Sequence, residues 1–133
     1  MKASRWVGNF SVLAIVVAVI LCAGSVFAAP NVMKGDVWVI MNQDQKVAYI
    51  LGAGDVVDVE WDLMQKVPEL KRENFSAKAV EALENTATND IIAKVDQWYQ
   101  ANGDKLDTPV LLVIWNTMIK PKVKTGIAGR PLQ

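Results

Sequence analysis

Hydrophobic and polar positions fall into three regimes along this chain. Residues 12–23 are an unbroken apolar run, preceded by Lys2 and Arg5. From residue 42 the apolar positions recur in steps of three and four. Val47, Ile50, Leu51, Gly54, Val57, Trp61 and Met64 form one helical face, and Lys46, Asp55, Asp58, Glu60 and Asp62 fall largely off it. Asn42, three before Gln45, is a capping-box pair that opens this helix, and Pro68 closes it. Ahead of it, after an extended lead over 30–34, Gly35-Asp36 opens a short apolar segment over 37–41 with Asp36 as N-cap. Gly52 and Gly54 sit inside the long helix, each at a propensity cost of about 1 kcal/mol relative to alanine. They mark either the close approach of a neighbouring helix or a weakened, kinked turn.

Residues 69–73 are a charged connector, and Ser76 then caps a short helix to Leu83 with its alanines and Val80 inward. Residues 85–87 break it. Thr88 or Asn89 caps the next helix, whose Ile91, Ile92, Val95, Trp98 and Tyr99 make a clean stripe ending at Asn102-Gly103. The third regime is the continuous β-branched run over 110–115, which on pattern alone reads equally as a buried strand. Its flanks favour a buried helix over 110–119 with Trp115 shielded: Thr108 as N-cap, Pro109 at the first helical position, and Pro121 beyond the end. After Lys122 the glycines and Pro131 predict a frayed tail. The pattern therefore predicts an all-α fold, a small bundle of four to five helices ordered over about 35–122, with no internal repeat.

The first regime reads as a secretory signal peptide over residues 1–28. It has a charged end, a short apolar centre and a small-residue tract, with Val26 and Ala28 in the slots a signal peptidase requires. Cleavage between Ala28 and Ala29 leaves a single helical domain, 29–133, addressed to the periplasm. Left uncut, residues 10–29 are long enough for one membrane anchor of about 20 residues, but the small-residue end is what cleavage needs. A lipoprotein reading through Cys22 meets the large Leu21 where a small residue is wanted.

Removing Lys2 and Arg5 leaves 12 basic against 14 acidic side chains. So nearly neutral a domain has no field to capture nucleic acid or an anionic membrane face, and Lys120, Lys122 and Lys124 are too few to change that. The chain has no histidine, and its one cysteine, Cys22, lies in the leader. The usual base and nucleophile pairs, thiolate chemistry and most zinc, copper and haem ligation are removed, so no metal and no cofactor is expected and the chain reads as a non-enzyme. With no mature disulfide, stability rests on the apolar core and on Trp38, Trp61, Trp98 and Trp115.

The remaining candidate chemistry is thin. Asp55, Asp58 and Asp62, with Glu60, share one helix too straight to converge on a calcium ion, and read as a solvated acidic face. Gly52-Ala53-Gly54-Asp55 lacks the ending of a phosphate loop and falls inside a helix. Ser76 and Thr108 read as caps rather than nucleophiles, and Trp98-Tyr99 beside Trp115 as core rather than a stacking platform.

Two stretches together resemble a known family. Gly35, Trp38 and Met41 followed by Lys46, Tyr49 and Gly52, then Val95-Asp96, Trp98-Tyr99 and Thr108-Pro109-Val110, are similar to small exported bacterial proteins related to the Rap/Tai immunity proteins of the type VI secretion system. The resemblance implies an all-helical periplasmic fold that binds and blocks a cell-wall amidase toxin. This chain departs from the immunity members in lacking their disulfide-forming cysteines, and their toxin-contacting residues are not recognisable in it. The expected function is a non-enzymatic periplasmic interaction protein with a protein partner in the cell envelope, of immunity type. The alternative is a small-molecule carrier whose tryptophans line an apolar pocket between helices.

Overall fold

The computed structural model describes residues 31–67 and 73–132. The signal-peptide reading, the cleavage site at Ala28 and Ala29, Cys22, Pro68 and most of the 69–73 connector lie outside the described residues. Among the described residues the fold is all-α: α1 (Gly35–Trp38), α2 (Gln43–Lys66), α3 (Phe75–Leu83), α4 (Thr88–Ala101) and α5 (Val110–Ile114). A π turn (Trp115–Ile119) continues α5, and a 3₁₀ turn (Ile127–Gly129) follows in the tail.

The long helix α2 begins as its sequence dictates. The Asn42 side chain accepts from the Gln45 amide at 2.9 Å while the Gln45 side chain accepts from the Asn42 amide at 2.9 Å, a complete capping box. Its inward face is Ile50 and Met64, fully buried, with Val47, Gly54, Val57 and Trp61 half-buried; Leu51, assigned to that face by pattern, is exposed. Helix α2 packs on α3 and α4, α3 packs on the π turn, and α4 packs on α5. The core between them is Trp38, Ile92, Val95, Val110, Val113 and Ile119, each at most 2% exposed.

Four expected caps are corrected. Helix α1 starts one residue before Asp36, after Lys34, and Asp36 only accepts from the next amide, that of Val37. Asn74, not Ser76, caps α3 by accepting from the Ala77 amide at 2.9 Å, and Ser76 is buried as the second residue of the helix. Helix α4 follows Ala87 without a side-chain cap, and Asn89 instead accepts from Gln43 at the start of α2. Pro109 is itself the residue before α5, and Thr108 is committed elsewhere. Its carbonyl receives the Tyr99 hydroxyl at 2.7 Å and the Gly35 amide at 3.3 Å. The β-branched run is helical, and the nearest thing to a strand is an isolated bridge between Lys34 and Pro109. Trp115 is half-buried against Phe75 rather than fully shielded.

The tail expected to fray is tied down. Val123 and Gly126 are buried, the Ala128 amide donates to the Glu73 carbonyl at 2.6 Å, and the Gly126 amide donates to the Arg130 carbonyl at 2.7 Å. The fastening is Lys78, whose ammonium is almost fully buried and reaches Glu73 at 2.8 Å, Thr125 at 3.0 Å and Glu81 at 3.4 Å. The hydrogen bond from Lys78 holds the Glu73 carboxyl below its ordinary value, and the same bond raises the Lys78 ammonium. A depressed carboxyl contributes stability that is complete above its unfolded value of about 4.3 and is lost as pH falls through the folded value. A raised lysine contributes stability that is complete below about 10.4 and is lost as pH rises beyond it. Glu73→Gln is therefore expected to lower Tm at pH 7, with the gap from wild type closing towards pH 3. A gap of equal size at both pH values would show that the carboxylate charge is not what fastens the tail.

Candidate functional site: the groove along α2

Helix α2 carries two apolar faces, and only one of them is used by the fold. At 100° per residue, Val59 lies about 160° round the helix from Val57, and Leu63 about 120° from Val57 and about 100° from Met64. Val56, Val59 and Leu63 are 68%, 60% and 56% exposed, and Leu51 is 52% exposed. Single exposed apolar residues are ordinary on a protein surface, whereas Val56, Val59 and Leu63 recur at steps of three and four on one side of the helix. Val56 of this stripe and Leu51, about 140° round the helix from it, also line a groove with a volume of about 940 Å³. One wall is α2 from Ala48 to Glu60; the other is Phe75, Ala79, Val80 and Leu83 of α3, with Ile91 and Ile114 beneath.

The groove has an acidic edge. Among the described residues the charged side chains that line it are Asp55, Asp58, Glu60 and Glu84, with no lysine or arginine. Glu60 is positioned by α3, whose start brings the Asn74 amide to one carboxylate oxygen at 2.6 Å and the Ser76 hydroxyl to the other. Both donors are neutral side-chain groups at the start of α3. Asp62 is paired with Lys66 on the exposed side. Thus the acidic face expected from the pattern is real, but it borders an apolar groove rather than open solvent alone.

Gly52 and Gly54 line the same wall. The helix runs through them without interruption, and a Cβ added at either would meet nothing within 4 Å. The close approach of a neighbouring helix, one of the two readings of these glycines, does not occur among the described residues. Gly52-Ala53-Gly54-Asp55 sits mid-helix, where its amides are engaged in the helix and cannot cradle a phosphate.

The residues behind the family resemblance converge elsewhere. The Trp38 indole donates to Asp96 at 2.7 Å, the Lys46 ammonium reaches the same oxygen at 2.7 Å and stands 5.3 Å from the Trp38 ring centre, and Tyr49 meets Trp38 edge-on at 6.0 Å. Gly35 lies against Tyr99, which in turn meets Trp98 edge-on at 5.0 Å. Burial pushes Tyr99 up to about 12, with the charges of Tyr49 and Asp36 adding, and burial also raises Tyr49, so both remain neutral phenols at neutral pH. This cluster locks α1 onto α2 and α4. None of Trp38, Trp61, Trp98 and Trp115 lines the large groove, whose aromatic members are Tyr49 and Phe75.

Among the described residues no group of three histidine, cysteine or carboxylate side chains is placed to hold a metal ion, and no helix is long and apolar enough to cross a membrane. Lys122 donates to the Ala82 carbonyl at 3.0 Å, while Lys120 borders a smaller pocket with Trp115 and Arg130. Comparison of the chain with protein-family models, with curated proteins and with solved structures finds no match in any of the three. The stripe of Val56, Val59 and Leu63 is the feature that pattern reading passed over, although its own steps of three and four announce it.

Proposed function

We propose that this protein is a non-enzymatic binding module of the cell envelope that seats a protein partner on the exposed face of α2 and the groove beside it. The observation that carries the reading is the second apolar face of α2, solvent-exposed in a helix whose opposite face already supplies the core. A surface of this kind receives anchors from a partner helix, with the polar rim setting specificity. An immunity-type role, in which the partner is a cell-wall amidase toxin, is the form that the family resemblance suggests. The resemblance rests on the Trp38–Asp96–Tyr99 cluster, which supports a shared fold and leaves the partner to the groove. The volume of the groove favours a second reading, a carrier of a small apolar ligand.

The test is to recover the protein from the exported fraction without detergent and measure the mass of the native assembly. The expected result is a complex with one protein species, lost in Val56→Asp/Leu63→Asp. The variant should unfold within about 0.5 kcal/mol of wild type, because both positions are exposed. A small molecule retained in place of a protein supports the carrier. Turnover of a substrate that Asp58→Asn or Asp62→Asn abolishes, with the helical fold intact, overturns both.

A further inference from the structure

The groove also constrains what fills it, an argument that rests on the binding-module reading. Its α2 wall from Ala48 to Glu60 spans about 18 Å at 1.5 Å per residue. The groove is open along that length, so a helix laid on it seats the anchors of one face and keeps the rest outside. An extended peptide would need backbone partners, and among the described residues the only β pairing is the isolated bridge between Lys34 and Pro109, away from the groove. A helix brings its backbone hydrogen bonds already made, which suits an apolar wall.

Charge then selects the kind of helix. Asp55, Asp58, Glu60 and Glu84 line the groove, and among the described residues Lys66 is engaged with Asp62, Lys46 with Asp96, and Lys78 with Glu73 and Glu81. A second copy of α2 would bring the same acidic residues against themselves, and a nucleic acid or an anionic membrane would meet the same repulsion. The glycines add an independent observation. Gly52 and Gly54 lower helix propensity while, among the described residues, a Cβ added at either would meet nothing within 4 Å, and both are among the residues lining the groove, whose α2 wall they lower by lacking a side chain.

We propose that the occupant of the groove is an α-helical segment of a partner protein, with apolar anchors at i, i+3 or i+4, and i+7 flanked by lysine or arginine, lying along α2 from Ala48 to Glu60. The probes are two synthetic 16-residue helical peptides with one identical leucine face, flanked in one by lysines and in the other by glutamates, titrated against isotope-labelled full chain. The lysine peptide should move the resonances of Val57, Val80 and Leu83, bind at least tenfold more tightly than the glutamate peptide, and weaken as salt is raised. The preference should invert in Asp55→Lys/Asp58→Lys/Glu84→Lys. Gly52→Leu/Gly54→Leu should lose the peptide while unfolding no earlier than wild type. Equal affinity for the two peptides overturns the cationic helix and leaves the binding module standing. A single-chain alkylamine that binds more tightly than the lysine peptide overturns it in favour of the carrier. If neither peptide binds, the inference falls, and the Val56→Asp/Leu63→Asp assembly measurement decides separately whether the module reading falls with it.

Discussion

Trp38→Ala is expected to cost about 3–5 kcal/mol, the range for truncating a large aromatic in a core. Trp38 is 0% exposed, and its loss opens a cavity between α1, α2 and α4 where Tyr49 now meets its edge. The truncation also removes the indole donor from Asp96 and the ring from beneath Lys46, leaving that ion pair without its inner wall. Domains of this size are stable by about 5–15 kcal/mol in total, so the variant should sit at the edge of folding. Trp38→Phe separates the terms: it keeps most of the apolar area and loses the hydrogen bond to a charged group, for which about 1.5–3 kcal/mol is the usual range. Urea unfolding followed by circular dichroism gives both numbers. A Trp38→Ala cost below about 1 kcal/mol would show that the cluster is not what holds α1 in place.

That cluster explains why a small domain without a described disulfide can place so much weight on a four-residue helix. Alone, α1 is too short to persist, since nucleating a helix is unfavourable and one turn offers little in return. It is held from three sides. The Asp36 amide donates to the Leu106 carbonyl at 3.0 Å, the Val110 amide donates to the Met33 carbonyl at 2.9 Å, and Trp38 reaches Asp96 across 58 residues of sequence. These residues solve a problem of assembly. They say little about what the assembled surface binds.

What the sequence makes legible here is local, and what it hides is long-range. The capping box of Asn42 and Gln45 is readable because both members lie within four residues and make each other's bonds. The stripe of α4 is readable because one helix face meets one core. Thr108 is misread as a cap because α5 starts only after Pro109, and Ser76 because its partner is distant: its hydroxyl donates to Glu60 while Asn74 caps α3. The tail is misread for the same reason, its anchors being Glu73 and Lys78, about fifty residues away. The candidate site is half legible. Its acids and glycines stand out in the chain, whereas the groove exists only because α3 lies alongside α2. The π turn after α5 has no local signature: the Lys120 amide reaches back five residues to Trp115 at 2.8 Å, and Met118 and Ile119 are both buried as a result.

Gly35→Ala is expected to be the most destabilising change of a single methyl group. An added Cβ would lie 2.3 Å from Cε1 of Tyr99, 2.7 Å from Cδ1 and 2.8 Å from Cζ, distances no real contact shows. The ring cannot swing away freely, because its hydroxyl is bonded to the Thr108 carbonyl and Trp98 packs on its edge. The Gly35 backbone cannot retreat freely either, since its amide donates to the same carbonyl. Overpacking of this kind costs about 1–3 kcal/mol, against which the gain from a less flexible unfolded chain is about 0.4–1 kcal/mol. The clash should therefore win. A double-mutant cycle isolates it: Tyr99→Ala is destabilising by itself, but once the ring is gone Gly35→Ala should become neutral or slightly stabilising, giving a coupling of at least about 1 kcal/mol. If Gly35→Ala costs as much without the ring as with it, the glycine is required for the backbone of α1 rather than for the approach of Tyr99.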